Sequence, residues 1–275
     1  MVIVDACTLH AGGGSPTAVF DDDPELTDAA RRDLVRRAGT SHAAFVTAGD
    51  TSAVRFFTTQ GELVNCGHGT IAAQAVLLTR RGVTAHRGGQ RTGGRVIAVE
   101  AVRGTDGVEV WFDQGTVDLR PAEGFGGIVA ALGLRPGEVG DEACVASPGT
   151  PRLLLPVRTT RVLAAIRPDL DRLAAESRRL GLLGCFVYAP GVAARTDVPG
   201  FTARMFAPAI GVAEDVVNAN STGCLAAHLA VLHGTGRIDV HQGAALGRPS
   251  LVHATATATA GGVTARVGGV AVVRG

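Results

Sequence analysis

The sequence of 275 residues contains no lysine, because all 26 of its basic residues are arginines. A pyridoxal-phosphate enzyme or a Schiff-base aldolase needs a lysine amine to form its covalent intermediate. A conventional P-loop nucleotide-binding site also needs a lysine. The missing lysines therefore exclude these three classes of protein.

Cysteine is scarce, and its five residues are widely spaced, odd in number and free of C-x-x-C spacing. This pattern is unlike a disulfide framework or a structural zinc site, so we expect free thiols. The histidines of the second half also lack metal-ligand spacing with one another: His228, His233, His241 and His253. We therefore expect neither a metal nor a cofactor.

A net excess of positive or negative charge is missing too, since the formal net charge is only +1 and charged residues make up 19% of the chain. A nucleic-acid-binding protein is expected to carry a strong basic patch, so we expect small-molecule partners instead. The sequence lacks an apolar run long enough to span a bilayer, and it begins like a strand rather than a signal peptide. We therefore expect a cytoplasmic protein without a membrane partner, and a homodimer is left open.

A motif that occurs twice is the most informative feature that is present. From Gly69 the sequence reads Gly-Thr-Ile-Ala-Ala-Gln-Ala-Val-Leu-Leu-Thr-Arg-Arg-Gly, and from Gly223 it reads Gly-Cys-Leu-Ala-Ala-His-Leu-Ala-Val-Leu-His-Gly-Thr-Gly. Each copy is an Ala/Leu-rich run between two glycines, and the copies lie 154 residues apart. This pattern predicts one helix that has been duplicated, in two similar halves.

Small polar residues precede both predicted helices. The N-terminus of a helix has unsatisfied N–H groups and the positive end of the helix dipole, which favour an anion such as a carboxylate. Two such helix starts can hold one small acid between them. The residues that we predict to bind it are Gly67, Gly69, Asn220, Ser221, Thr222 and Gly223.

Short runs rich in Val, Phe and Thr outnumber the helical runs, which also include Thr27–Ala38 and Leu170–Leu180. The segment Ile71–Leu78 carries almost no charge, so we expect it to be buried on all sides. The sequence predicts an α+β fold whose halves are each a β-sheet around one apolar helix. We expect an N-terminal lobe of residues 1–117, joined by a last strand at 263–275, and a C-terminal lobe of residues 118–262, with Asp118–Pro121 as the linker.

Four ordered motifs resemble the PhzF-like isomerases of phenazine biosynthesis, which share a duplicated fold with diaminopimelate epimerase and proline racemase. The motifs are Val4-Asp5-Ala6 through Gly14-Ser15-Pro16-Thr17-Ala18-Val19, then Glu62 through Gly67-His68-Gly69-Thr70, then Arg204-Met205-Phe206 with Pro208, Gly211 and Glu214-Asp215, and finally Gln242-Gly243 with Gly247-Arg248-Pro249-Ser250. The resemblance implies two pseudo-symmetric lobes, each a β-barrel around a central helix. It also implies a site in the cleft between them and no cofactor.

One departure from the fold superfamily concerns its thiols. In the epimerases and racemases of this fold, a cysteine precedes each helix, and the two act as base and acid. Cys66 holds the first place here, but the spacing of 154 residues puts Asn220 in the second. An amide cannot exchange a proton at neutral pH, so racemisation by two thiols is disfavoured unless Cys224 reaches the cleft.

A second departure concerns the family's catalytic glutamate, whose place in the segment Thr40–Phe45 is taken by His42. The aspartate and histidine of the family pattern are retained as Asp215 and His68. Histidine is a good proton shuttle near neutral pH, and a thiol at a helix N-terminus can serve as a base. His42, Cys66, Asp215 and His68 are therefore the candidate catalytic residues. Their structural alternatives are a polar residue at a strand start for His42, a packed thiol for Cys66 and a capping acid for Asp215.

The resemblance implies a cofactor-independent isomerase that moves a proton and relocates a double bond in a small carboxylate or amino-acid-like substrate. Members of this kind occur in secondary metabolism. Two alternatives stay open. One is an epimerase, racemase or dehydratase of the proline racemase type, which Cys66 supports and Asn220 weighs against. The other is a paralogue that binds a small acid without converting it.

Overall fold

The computed structural model describes residues 1–274, and contacts between Cα atoms divide the chain into two compact units. The first unit combines residues 1–113 with 248–251 and the residues from 267 onwards. The second unit combines residues 114–247 with 252–266. The sequence predicts a boundary between the lobes after residue 117, and this boundary stays a prediction.

The elements alternate between many strands and few helices. Those in the first part of the chain are β1 (Val2–Ala6), β2 (Ser15–Asp21), α1 (Asp28–Ala38), β3 (His42–Thr47), β4 (Thr51–Phe57), β5 (Glu62–Leu63), α2 (Gly67–Arg81), β6 (Ala85–Thr92), β7 (Arg95–Arg103) and β8 (Val108–Thr116). Those that follow are β9 (Asp118–Pro121), α3 (Gly126–Ala131), β10 (Cys144–Ser147), β11 (Arg152–Pro156), α4 (Thr160–Ala165), α5 (Leu170–Arg179), β12 (Cys185–Pro190), β13 (Gly200–Ala207), β14 (Val212–Asp215), α6 (Ala219–His233), β15 (Arg237–Gln242), β16 (Ser250–Thr259) and β17 (Gly262–Val273).

Strand pairing closes the first unit into a barrel of eight strands. β1 pairs with β2, β2 with β3, and β3 with β4, and the sheet continues from β4 to β6, β7 and β8. β17 then pairs with both β8 and β1, so the sheet returns to its first strand. A closed sheet leaves no unpaired edge, and it encloses space for one central element.

Helix α2 fills the barrel of the first unit, and its contacts are with β1, β2, β3, β4 and β7. Every residue from Gly67 to Leu78 is buried, which confirms the predicted burial of this segment. Small side chains allow close packing, and at Gly69 an added Cβ would lie 2.8 Å from the ring of Phe56. The helix ends at Gly82, whose φ of 66° is left-handed backbone that suits glycine.

The second unit is built in the same way around α6. Its sheet runs through β9, β10, β11, β12, β13 and β15, and β16 is the hydrogen-bonded neighbour of β15 and β17. The N–H of Val117 donates to the carbonyl of Val263 in β17, which returns the sheet to β9. Residues Ala219–Ala230 of α6 are buried inside. The observed fold is therefore the predicted α+β fold of two barrels, each around a central helix.

A second apolar layer covers the outside of this barrel. In β12, Phe186 and Tyr188 face the core around α6, whereas Cys185 and Val187 face a core shared with α3, α4 and α5. This alternation follows from the period of two in a strand. The segment Asp118–Pro121, predicted as a linker, is strand β9 paired with β10, and that prediction is wrong. Its proline stands at the end of the strand, where it disturbs the sheet least.

The two central helices give the spacing of the internal repeat. Both have 15 residues, and their first residues, Gly67 and Ala219, are 152 positions apart. The same spacing relates two buried hydrogen bonds, from Gln90 to Thr70 at 3.1 Å and from Gln242 to Thr222 at 3.3 Å. The predicted spacing of 154 residues is therefore wrong by two positions.

Among residues 1–274, no helix is both long enough and apolar enough to cross a bilayer.

Candidate active site

The first cluster of site residues lies at the start of α2. Cys66 is the N-cap residue of this helix, but its side chain makes no capping hydrogen bond. Its carbonyl accepts from Thr70 at 2.9 Å, which begins the helix. Because the thiol does not cap the helix, it is available to another partner, and its Sγ lies 3.5 Å from Nε2 of His68. Cys66 is 5% exposed, so the contact is almost dry.

His42 joins this pair from the first residue of β3. Its ring meets the ring of His68 edge to face, with centroids 4.5 Å apart and planes at 84°. On its other side Nδ1 lies 2.9 Å from the hydroxyl of Ser41, which holds the orientation of the ring. The structure therefore brings together three of the four predicted catalytic residues, His42, Cys66 and His68.

Burial sets the charge of His42. Desolvation, and secondarily the neighbouring His68, lowers the pKa of His42 well below its usual 6.5. A buried imidazole loses the hydration that stabilises its charged form, so the neutral ring is favoured near pH 7. A neutral imidazole can accept a proton, and this ring is therefore suited to the role of a base.

Within the described residues 1–274, the same three side chains form a group that could hold a metal ion. One donor atom from each of His42, Cys66 and His68 lies within 4.8 Å of the other two. Imidazole and thiolate are the ligands that zinc and other soft transition metals prefer. The sequence offers no local signal for such a site, because His42 lies 24 positions before Cys66.

The second cluster lies at the start of α6, in the second unit, and its central residue is Asn218. The Asn218 side chain caps the helix: Oδ1 accepts from the N–H of Ser221 at 3.0 Å and from its hydroxyl at 2.8 Å. The amide nitrogen of Asn218 donates to Asp215 at 3.1 Å. Asp215, the fourth predicted catalytic residue, is thus a buried acid that belongs to the capping network of α6.

The predicted binding residues of α6 are engaged in the same network. The carbonyl of Asn220 accepts from the Gln114 side chain at 3.1 Å, and the N–H of Thr222 donates to the Asn218 carbonyl at 3.2 Å. Gly223 is buried in the second turn. The two helix starts therefore differ: α6 is capped by a side chain, whereas α2, with Gly67 and Gly69 in its first turn, is not.

The repeat spacing of 152 residues makes Asn218 the equivalent of Cys66 in the second repeat. The second thiol position therefore holds an amide, but that of Asn218 and not of the predicted Asn220. Cys224 lies in the apolar core around α6, where Gln114 contacts its sulfur at 3.5 Å. Burial raises the pKa of the Cys224 thiol, against the opposing effects of Arg152 and Gln114. The packed-core alternative therefore fits Cys224.

Arg152 belongs to none of the motifs found in the sequence. It begins β11 and is 1% exposed, and its guanidinium donates to Ser221 at 3.2 Å and to the Thr150 carbonyl at 2.9 Å. Its Nε has no partner, and within residues 1–274 no carboxylate pairs with it. Burial lowers the pKa of Arg152, although Cys224 opposes this. A buried cation without a counter-ion is costly, and it favours an anion nearby.

Comparison with known proteins gives matches along nearly the whole chain. A sequence profile described as phenazine biosynthesis-like protein matches residues 4–274. An Escherichia coli O157:H7 protein named uncharacterized isomerase YddE is 32% identical over 269 residues, which cover 92% of this chain and 89% of that protein. The trans-2,3-dihydro-3-hydroxyanthranilate isomerase of Pseudomonas aeruginosa is 30% identical over 274 residues, which cover 93% of this chain and 89% of that protein.

A solved structure from Pseudomonas aeruginosa, described as the predicted epimerase PA4716, is similar in fold, with a TM-score of 0.83 and 27% sequence identity. The match covers 100% of this chain and 96% of that one. The similarity therefore includes the elements of both units.

Proposed function

We propose that this protein, which belongs to the phenazine biosynthesis-like family and is an isomerase, moves a proton within its substrate. The proposed substrate is small, carboxylate-bearing and amino-acid-like. The proposed reaction is a 1,3-proton shift that relocates a double bond and uses no cofactor. The Pseudomonas aeruginosa relative is named for an isomerisation of trans-2,3-dihydro-3-hydroxyanthranilate, which has an amine and a carboxylate. A role in secondary metabolism and a cytoplasmic location belong to the same proposal.

The observation that carries the proposal is the buried contact of Cys66, His68 and His42. In the proposed reaction, the neutral ring of His42 accepts the proton that leaves one substrate carbon. The thiol of Cys66 donates a proton to the carbon two bonds away, so the substrate gains and loses one proton. His68 touches both groups, and a proton passed through it from His42 to Cys66 restores the starting state.

Carboxylate binding is proposed at the uncapped start of α2, where Gly67 and Gly69 offer N–H groups that lack a capping side chain. Asn220, Ser221, Thr222 and Gly223 stay proposed as substrate-binding residues of the second unit, with Arg152 as a buried cation beside Ser221. Asp215 is proposed as a further acid or base of the second unit.

Solvent deuterium tests the reaction. The protein is incubated in D2O with trans-2,3-dihydro-3-hydroxyanthranilate and with a panel of proline-like and aromatic amino acids, without added metal, nucleotide or pyridoxal phosphate. We expect an isomerised product that carries deuterium at one carbon, two bonds from the carbon that lost its proton.

Two outcomes would contradict the proposal. Deuterium at the α-carbon with loss of stereochemistry would assign the chain to the epimerases instead. Tight binding of an acid without exchange at any carbon would leave the proposed proton transfer without support.

A further inference from the structure

His42, Cys66 and His68 are packed closely enough to be compared with a metal coordination sphere. All three side chains are buried in the first unit, and one donor atom from each lies within 4.8 Å of the other two. The sulfur of Cys66 and Nε2 of His68 are 3.5 Å apart. The trio combines one thiol with two imidazoles, which is a common ligand set for zinc.

Tetrahedral zinc geometry gives a numerical test of this spacing. Bonds of about 2.3 Å to sulfur and about 2.0 Å to nitrogen put a sulfur and a nitrogen ligand roughly 3.5 Å apart. The Cys66–His68 separation already has this value. No separation in the trio exceeds 4.8 Å, so none must shorten by more than roughly 1.5 Å, which changes of side-chain torsion can supply.

The surroundings of His42 also suit a metal ligand. A histidine ligand is usually held by a hydrogen bond from its other ring nitrogen, which fixes the tautomer and the orientation. The hydroxyl of Ser41 lies 2.9 Å from Nδ1 of His42 and holds this nitrogen. The other ring nitrogen, Nε2, is then left to coordinate a metal ion. The strand start at His42 and the helix start at Cys66 supply rigid backbone on both sides.

We infer that His42, Cys66 and His68 form a binding site for a soft divalent ion of the zinc class, and that the ion reversibly inhibits the isomerase. On binding, the Cys66 thiol releases its proton to solvent and the thiolate and two imidazole lone pairs coordinate the metal. Three protein ligands leave a fourth position for water or a substrate carboxylate. Inhibition follows because the coordinated imidazoles can no longer accept a proton and the coordinated thiolate has no proton to donate, and this part rests on the proposed function.

Cobalt provides a direct test of the site, independent of turnover. Metal-free, reduced protein is titrated with Co²⁺, and we expect a near-ultraviolet thiolate-to-cobalt absorption that saturates at one ion per chain and disappears when Zn²⁺ is added. Cys66→Ser and His42→Ala should abolish it. Cys144→Ser is the matched control, because its thiol is also 5% exposed, and it should keep the wild-type spectrum. Absence of saturable absorption in the wild type, or the same uptake in Cys66→Ser, would overturn the site.

The inhibition is tested separately in the isomerase assay. We expect one equivalent of Zn²⁺ to lower turnover by about 10²-fold, the scale of losing general acid or base catalysis, and EDTA to restore it. Unchanged turnover in protein that binds the ion would overturn the inhibition. Turnover that requires Zn²⁺ would overturn both the inhibition and the proposed metal-free reaction, while the cobalt titration would still decide the site.

Discussion

At the scale of single residues, the chemistry that we propose for the first unit depends on a thiol and an imidazole that both touch His68. Cys66 stands before the first turn of α2 and His42 begins β3, and the helix packs directly on that strand. Two side chains from separate elements therefore reach one histidine without any long loop between them. Such a site is held by the barrel rather than by mobile segments.

Removal of the Cys66 thiol or of the His42 imidazole should reduce turnover without unfolding the protein. We expect Cys66→Ala and His42→Ala each to lower kcat by about 10²-fold or more, because each loses one general acid or base. KM should change little, since neither side chain is part of the proposed carboxylate site. Steady-state kinetics check this, with Cys144→Ala as a control that should keep wild-type kcat. A variant of Cys66 with normal kcat would show that its thiol only packs.

The buried His42 should also make stability depend on pH. Because burial, and then His68, lowers its pKa well below 6.5, the unfolded chain binds a proton that the folded chain does not as pH falls below about 6.5. The free energy of unfolding should therefore decrease with acidification and be fully retained above this pH. Urea unfolding is measured at several pH values between about 5 and 7.5. The free energy of unfolding plotted against pH should have a shallower slope for His42→Gln than for the wild type. The exposed His10, changed to Asn, should leave the slope unchanged, and equal slopes in all three proteins would contradict the prediction.

At the scale of elements, α2 and α6 are equal in length and both end at a left-handed glycine, but they begin differently. Asn218 caps α6 with its own side chain, whereas the corresponding Cys66 leaves α2 uncapped. The first-turn N–H groups of α2 are therefore the better candidates for holding a carboxylate.

Gly67→Pro tests this helix start with little disturbance. Gly67 is the first helical residue, a position where proline is well tolerated, and the φ and ψ of Cys66 are already extended as a residue before proline requires. The variant loses one N–H donor, so we expect substrate binding to be abolished while the thermal unfolding midpoint stays close to wild type. Gly67→Ala retains the N–H and should bind better than Gly67→Pro. Wild-type KM in Gly67→Pro would place the carboxylate elsewhere.

Arg152 should behave differently from Arg204, an arginine of the same unit whose side chain is 10% exposed. Arg204 forms an ion pair with Glu214 at 2.7 Å, so Arg204→Met should cost about 3 kcal/mol or more by leaving that carboxylate unpaired. Arg152 has no such partner, so Arg152→Met should keep the free energy of unfolding within about 1 kcal/mol or increase it. KM for a carboxylate substrate should rise about tenfold. Equal destabilisation by both substitutions, measured in urea, would show that Arg152 is structural.

The sequence predicts the elements with strong local signals and misses those that depend on distant contacts. Helix α1 was predicted to within one residue because Thr27 caps it and Gly39 ends it. The predicted start of α6 is wrong because Asn, Ser and Thr, which follow Ala219 in its first residues, are poor helix formers, and capping by Asn218 stabilises this turn. The trio could be predicted only through the family resemblance, and Arg152 could not, since its partners Asn218 and Ser221 lie 66 and 69 positions away.

At the scale of the whole molecule, β17 contributes to both compact units, because residues before Val267 belong to the second and later ones to the first. Ala6 pairs with Ala271, which is fully buried. The closed sheet of the first unit therefore depends on a strand from the far end of the sequence.

Ala271→Pro should open this closure. Proline removes an N–H from the interior of a strand, so we expect a loss of about 2 kcal/mol or more in the free energy of unfolding. Ala260→Gly, in the exposed turn before β17, should change it by less than about 0.5 kcal/mol. Denaturant unfolding compares the two variants, and wild-type stability in Ala271→Pro would mean that the pairing with β1 contributes little.

The shared strand also fixes the order of events during synthesis. Ala6 and Ala271 are separated by 265 residues, so at typical elongation rates β1 waits roughly 13 to 53 s for its partner to be made. Until then the first barrel is unsealed on the ribosome, with its thiols open to oxidants and to metal ions. The nascent chain should therefore be most vulnerable just before β17 is made, and chaperones that shield the unpaired β1 are expected to act until then.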